Sequence, residues 1–367
     1  MRLGRYRLRQ LLGEGGMGQV YRAYDTGVAG TGTRRWRTIG IIGFTVTAVT
    51  VTGTALSITG ARGDTAHPTA ASTVTATIAV DDDPYDVAVD PSTHTAYITS
   101  GKAVSVIDTA TPTIAATIPV GRWGWHVAVD PGTHTAYVTV NSDNGTVSVI
   151  DTAARTVTAT IPVGKDPYDV AVDPSTHTAY ITNTDLDSDN GTVSMIDGVA
   201  GTVTATIPVG KYPHDVAVDP STHTAYVTNN FDRTVSVIDG VAGMVTATIP
   251  VGKDPWAVAV DPGTHTAYIT NSKDGTVSVI DTVARTVTAT IPVGRDPWAV
   301  AVDPGTHTAY ITNYGDRTVS VIDTVARTVT ATIPVGKNPW AVAVDPGTHT
   351  VYTANHSGRT VSVIAPA

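Results

Sequence analysis

Seven positions at near-constant spacing carry aromatic or imidazole side chains: Tyr85, Trp125, Tyr168, His214, Trp256, Trp298 and Trp340. Three residues ahead of six of them stands a cation, at Arg122, Lys165, Lys211, Lys253, Arg295 and Lys337, with Asp82 at the remaining one. Rings of this kind stack on sugars or flexible chains, and Tyr and Trp anchor many interfaces. The same ring area also suits packing between structural layers, with the cations paired to the nearby Asp166, Asp254 and Asp296. The residue types alone leave both uses open.

A second sevenfold set is imidazole: His94, His134, His177, His223, His265, His307 and His349. Each sits in a turn that opens with Asp-Pro, which suits a tight reversal. One per repeat, they are spread apart, whereas a zinc site needs convergent ligands, so turn residues rather than ligands are expected. The Asp that opens each turn (Asp90, Asp130, Asp173, Asp219, Asp261, Asp303 and Asp345) reads as turn chemistry too. Asp185, Asp187 and Asp189 resemble the first half of a calcium loop. The following Gly191 comes one position late, however, and Ile196 stands where a bidentate Glu belongs, so an enlarged hairpin turn is expected. The chain has no Cys, which excludes disulfides and thiolate metal sites. Its one Glu is Glu14, and the recurrent Val-Ala-Val-Asp offers no acid–base pair. No convergent acidic groups, no catalytic residues and no cofactor are expected.

The elements that position these residues follow from the phrase Asp-Pro-(Gly/Ser)-Thr-His-Thr-(Ala/Val)-Tyr. It occurs seven times, ending at Tyr97, Tyr137, Tyr180, Tyr226, Tyr268, Tyr310 and Tyr352, at intervals of 40 to 46 residues. That period marks a propeller or a solenoid. Within residues 155–197, Thr156–Ile161 alternates polar and apolar, Tyr168–Val172 and Thr178–Thr182 are short β-formers, and Thr192–Ile196 completes the unit. Gly, Pro, Asn and Asp stand at every corner. Two-residue periodicity excludes helical repeats and predicts an all-β, seven-bladed β-propeller of four-stranded blades. The repeat region opens at Thr73–Ile78 with an orphan fourth-strand motif and closes at Thr360–Ile364 with an orphan third strand. The first is expected to complete the last blade, leaving no unpaired edge at the join.

Tyr137-Val138-Thr139, Tyr226-Val227-Thr228-Asn229 and Tyr180-Ile181-Thr182-Asn183 carry a recurring motif. Over residues 73–364 the chain resembles the YVTN-repeat propellers, the group that includes YncE-like proteins. The resemblance implies an extracytoplasmic binding or interaction domain, with no ligand specified.

Residues 1–26 differ. Gly13, Gly15, Gly18 and Val20 fit G-x-G-x-x-G-x-V, between Tyr6–Leu12 and Tyr21–Asp25. This resembles the opening strand, nucleotide loop and second strand of a bacterial receptor-type Ser/Thr protein kinase. The family's Lys, H-R-D and D-F-G have no counterpart, so phosphoryl transfer is not expected. The resemblance implies a truncated remnant, with a sensor role or an intact kinase paralogue as partner as the alternative. Residues 27–37 are a basic segment. Residues 38–60 are uncharged over 23 positions, long enough for a transmembrane helix. The arginines before them place the N-terminus in the cytoplasm. Residues 61–72 read as a linker, and the propeller region is expected outside the cell membrane. Residues 1–37 carry a charge of +6 and the remainder −15, which argues against nucleic acid as a partner of the acidic part.

Overall fold

The computed structural model describes residues 72–366 apart from 122, 142–144 and 186–190, together with the backbone of strands between residues 2 and 48. The chain divides into two units, Met1–His67 and Pro68–Ala367. In the first, Arg2–Leu3, Tyr6–Gly15, Gly18–Asp25, Trp36–Ile42 and Thr45–Ala48 form one sheet in sequence order. Tyr6–Gly15 and Gly18–Asp25 are antiparallel, with Gly15 opposite Gly18, so Gly13, Gly15, Gly18 and Val20 lie at the closed end of a hairpin. Over the expected membrane span the described backbone is extended, at Trp36–Ile42 and Thr45–Ala48, and residues 49–71 lie outside the described residues. Among the described residues no helix is long and apolar enough to cross a membrane, so the transmembrane helix is not shown.

The second unit holds seven sheets of four antiparallel strands each. In the third sheet these are Pro167–Asp173, Thr178–Asn183, Thr192–Asp197 and Thr202–Pro208. First strands of neighbouring sheets touch all the way round, the seventh meeting the first, so the sheets are the blades of a propeller around a central channel. Exposure rises outward. Second strands such as Thr178–Asn183 are buried on both faces, while the outer Thr202–Pro208 is mostly solvated and buries only Ile207. This is why most second strands carry a consecutive Ala-Tyr-(Ile/Val) and outer strands a Thr-rich alternation. The seventh blade takes Pro339–Asp345, Thr350–Asn355 and Thr360–Ile364 from one end of the repeat region and Val74–Ala79 from the other. Val361 stands opposite Ile78 and Val363 opposite Ala76.

The core lies between blades. Tyr97, Val104, Val106 and Ile118 of the first blade, for example, pack on Val127, Ala136, Val138 and Ile150 of the second. The recurring motif has a part for each residue. Its Tyr fills the gap between blades. Its Thr works in two directions: Thr139 Oγ accepts from His126 N at 3.0 Å within its blade and donates to the Tyr168 carbonyl of the next at 2.8 Å. Thr182 does the same between Asp169 N and the His214 carbonyl. Its Asn ties the third strand, Asn229 Nδ2 donating to Ser236 Oγ at 2.9 Å. The preceding loop needs a Gly there, because a Cβ on Gly210 would meet the Asn229 side chain at 2.6 Å.

The Tyr hydroxyls are served unequally. Those of Tyr97, Tyr226, Tyr268 and Tyr352 hydrogen-bond to Thr152, Thr282, Thr324 and Thr109 of the following blade. Tyr137 and Tyr180 face Gly198 and Gly240 at that place, and burial pushes both phenols up to about 12. Tyr226→Phe is therefore expected to cost about 1 kcal/mol in a denaturant titration, while Tyr180→Phe leaves the midpoint unchanged or raises it. Equal losses in both variants would contradict the assignment of these partners.

Candidate functional site

The inner strands bring the seven aromatic-type residues into one closed circuit. Ring centroids are 5.3 Å apart for Tyr85–Trp125 and Trp125–Tyr168, and 3.9 Å for Tyr168–His214 and His214–Trp256. Trp256–Trp298 stack at 4.9 Å, Trp298–Trp340 meet edge-on at 4.4 Å, and Trp340–Tyr85 close the circuit at 5.6 Å. Tyr and Trp positions stay partly exposed, whereas His214 is 2% exposed. A further aromatic pair lies beside the fourth blade, where Tyr212 stacks on Phe231 at 4.6 Å and Phe231 is 65% exposed.

One residue further along each inner strand lies a second layer: Asp86, His126, Asp169 and Asp215 in the first four blades, then Ala257, Ala299 and Ala341. A register shift explains how adjacent residues share the channel. Pro167 pairs with Asn183, but the next pair is Val170 with Ile181, and such bulges re-aim side chains. Both layers line a cavity of about 140 Å³. The expectation that no acidic or metal-binding groups converge on the channel is overturned.

The carboxylates are fixed by main-chain donors from the next blade. Val127 N donates to Asp86 Oδ2 at 2.9 Å, Val216 N to Asp169 Oδ2 at 2.8 Å and Val258 N to Asp215 Oδ2 at 2.7 Å. His126 lies between two of them, its Nδ1 3.1 Å from Asp169 Oδ1 and 3.5 Å from Asp86 Oδ2. Burial alone would push this imidazole down, but Asp169 and then Asp86 outweigh it and hold it well above its ordinary value. Asp169 and Asp215 are hydrogen-bonded to each other. Burial, together with the Asp169 charge, raises the Asp215 carboxyl well above the carboxylate range. Burial opposes ionisation of Asp169 too, yet its bonds to Asp215 and His126 lower it overall. Within this hydrogen-bonded pair Asp215 is the carboxyl that is raised and Asp169 the one that is lowered. His214 is pushed down to about 3 by burial and by the His126 charge, so its imidazole is neutral.

The other sequence candidates lie away from this centre. Lys253 pairs with Asp274 at 3.4 Å, Arg295 with Asp316 at 2.6 Å and Lys165 with Asp185 at 3.9 Å. Lys211 N donates to Asp232 Oδ2 at 2.8 Å. The partners expected were Asp254, Asp296 and Asp166, but the acids of the loop between second and third strands reach the cations first, and Asp254 instead binds Lys273. Lys337 is exposed at the same rim. Arg122, Asp187 and Asp189 lie outside the described residues, which leaves Asp185 alone of the calcium candidates described.

The seven turn His residues sit at φ of 52–57°, the left-handed region. Three latch one blade to the one before: His177 Nδ1 to Asp130 Oδ2 at 2.7 Å, and His223 to Asp173 and His349 to Asp303 at 2.8 Å. Burial would raise the Asp173 carboxyl, but its bonds from Ser175 and His223 outweigh this and lower it. A carboxyl lowered on folding contributes stability above the unfolded value of about 3.9 and loses it as pH falls through the folded value. The variant His223→Ala is therefore expected to unfold at a higher pH than the wild type in an acid titration followed by circular dichroism. An unchanged acid midpoint would remove the latch.

No family model matches the chain, and no curated protein matches it. Among solved structures it is similar to a chain described as Kuenenia stuttgartiensis hydrazine synthase, at 22% identity and a TM-score of 0.70, over 78% of this chain and 96% of that one. At that identity the likeness shows the fold alone: an all-β, seven-bladed propeller, an architecture commonly used as a binding module.

Proposed function

We propose that the chain is a ligand- or protein-binding propeller of the YVTN-repeat (YncE-like) kind, and that recognition takes place at the aromatic-rimmed mouth of the channel. The observation that carries this reading is the closed aromatic circuit over a cavity. Partly exposed rings at a concave opening offer stacking area at small conformational cost, with the polar groups beneath to fix orientation. The ligand class is one with flat or sugar-like faces. Fluorescence titration of the full chain against cell-envelope glycans and peptides tests this. Saturable binding that disappears in the variant Trp256→Ala/Trp298→Ala/Trp340→Ala, with the circular dichroism spectrum retained, supports it. No binding, or binding unchanged in the variant, overturns it.

In this reading the module is non-catalytic and extracytoplasmic, and the uncharged run at 38–60 behind its arginines anchors it. Recovery of the full chain in the soluble cytoplasmic fraction would exclude the anchor. A second reading, as an enzyme, is favoured by the hydrogen-bonded Asp169 and Asp215, whose carboxyls are shifted in opposite directions, beside a His126 held above its ordinary value, an arrangement able to move protons. Turnover of glycoside or lactone substrates that Asp215→Ala abolishes would establish it.

A further inference from the structure

The second layer of the channel gathers more negative charge than packing requires. Asp86, His126 and Asp169 each place a ligand-type atom within 4.8 Å of the other two. They come from three consecutive blades, and neither the repeat nor the aromatic ring needs them. The last three blades fill the same position with Ala257, Ala299 and Ala341 and keep the same strands.

We propose that Asp86, His126 and Asp169 hold a divalent first-row metal ion, such as Zn²⁺ or Mn²⁺, in the channel, with its open coordination positions facing the cavity under the indole rings. This goes beyond the ring's ligand and does not depend on it. An N/O donor set without thiolate suits these ions. Metal–ligand bonds of about 2.0–2.2 Å put ligand atoms roughly 3–3.6 Å apart, and the His126 Nδ1 distances of 3.1 and 3.5 Å already lie there. The carboxylates are held in place before any ion arrives, because Val127 N and Val216 N each secure one oxygen of Asp86 and Asp169. Hydrogen-bond donors behind the ligands orient them in this way at metal centres. The two carboxylates balance one divalent ion, which takes the place of the proton between them and His126 and releases it to solvent, with Asp215 bonded behind Asp169.

An independent observation points to an occupant. His214 is 2% exposed and lines the cavity, and its Nε2 has no hydrogen-bond partner. Its ring bonds to the Trp256 main chain, which leaves Nε2 as the acceptor without a partner. A buried acceptor of that kind is costly unless something donates to it. A water molecule on the open side of a metal ion supplies such a donor. The Ala side chains across the channel leave room for that water.

The test uses the full chain, stripped with a chelator, dialysed and titrated calorimetrically with Zn²⁺ and with Mn²⁺. The expected result is one ion per chain. Asp86→Asn and His126→Gln are each expected to weaken binding at least about 10- to 100-fold, the size that loss of a hydrogen-bond partner behind a ligand already produces at metal sites. His265→Ala, in an exposed turn, is the control and keeps full affinity. Because a channel variant could fail to fold, a second measurement needs only the wild type. Co²⁺ at one equivalent is expected to quench the tryptophan fluorescence strongly, since Trp256, Trp298 and Trp340 line the same cavity. Absence of saturable binding, binding undiminished in folded channel variants, or one bound Co²⁺ without quenching would each overturn the site.

Discussion

Deleting residues 73–80 from the chain is expected to lower the melting temperature by about 10 °C. The segment is distant in sequence from its partner, yet it supplies the outer strand of the seventh blade, with Thr77 opposite Ser362 and Ile78 opposite Val361. Ile78 and Val80 are 7% and 6% exposed and belong to the cluster that joins the seventh blade to the first, with Val87, Ile98, Tyr352 and Val361. Burying a side chain of this size contributes about 1.5–3 kcal/mol, so the two together approach the lower end of the total stability of an ordinary domain, about 5 kcal/mol. At about 2–4 °C per kcal/mol for a chain approaching this size, the loss falls near the stated shift. The deletion also uncovers Thr360–Ile364 as an exposed β-rich edge, which invites pairing between molecules. Calorimetry and size-exclusion chromatography together read both effects. A deleted chain that melts with the wild type and stays monomeric would mean that the strand contributes nothing to the last blade.

The fold was legible because the sequence states it seven times. A single Thr-Ala-Tyr-Ile-Thr-Asn could be one strand among many, but at a regular interval, with Asp-Pro-(Gly/Ser)-Thr-His always ahead of it, strand and turn fix each other's boundaries. The aromatic circuit was legible for the same reason. The charged layer beneath it was not. Strand alternation assigns neighbouring residues to opposite faces, so Asp86, next to Tyr85, and Asp169, next to Tyr168, were not read as channel residues. The bulge that turns both toward the cavity depends on Thr99 and Thr182 accepting the main-chain N–H of Asp86 and Asp169, and such a bond leaves no trace in hydrophobic pattern. A different signal was present. In repeats otherwise almost identical, Pro-Trp-Ala-Val of the last three copies becomes Pro-Tyr-Asp-Val, Gly-Trp-His-Val and Pro-His-Asp-Val in the first four. Departure from the chain's own consensus toward ionisable residues marks what the scaffold does not require. Rim pairing was misjudged because the acids nearest in sequence to the cations, such as Asp254, are turned by positive φ, here 50°. The loop of the same blade then brings Asp274 to Lys253.

The two buried carboxylates predict opposite consequences for one substitution. Asp169→Asn in chelator-treated protein is expected to cost about 3–5 kcal/mol, the range for breaking a buried ion pair by removing one partner. Asp169 carries the charge that balances His126 at 3.1 Å and accepts from both Val216 N and Asp215. An amide in its place leaves the imidazolium opposed by Asp86 alone, so the His126 ring is expected to titrate at lower pH by NMR. Asp215→Asn should be neutral or stabilising near pH 7. Its carboxyl is raised by burial and by the Asp169 charge, so the native state keeps a proton that the unfolded chain releases above about pH 3.9. A carboxyl raised on folding makes stability fall as pH climbs from the unfolded value to the folded one. An amide removes that dependence and still offers a donor to Asp169 and an acceptor to Val258 N. Denaturant titrations of both variants at pH 5 and pH 7.5 separate the cases, because the advantage of Asp215→Asn over wild type grows with pH. A larger loss in Asp215→Asn than in Asp169→Asn would put the proton on the other carboxyl and reverse the polarity of the channel layer.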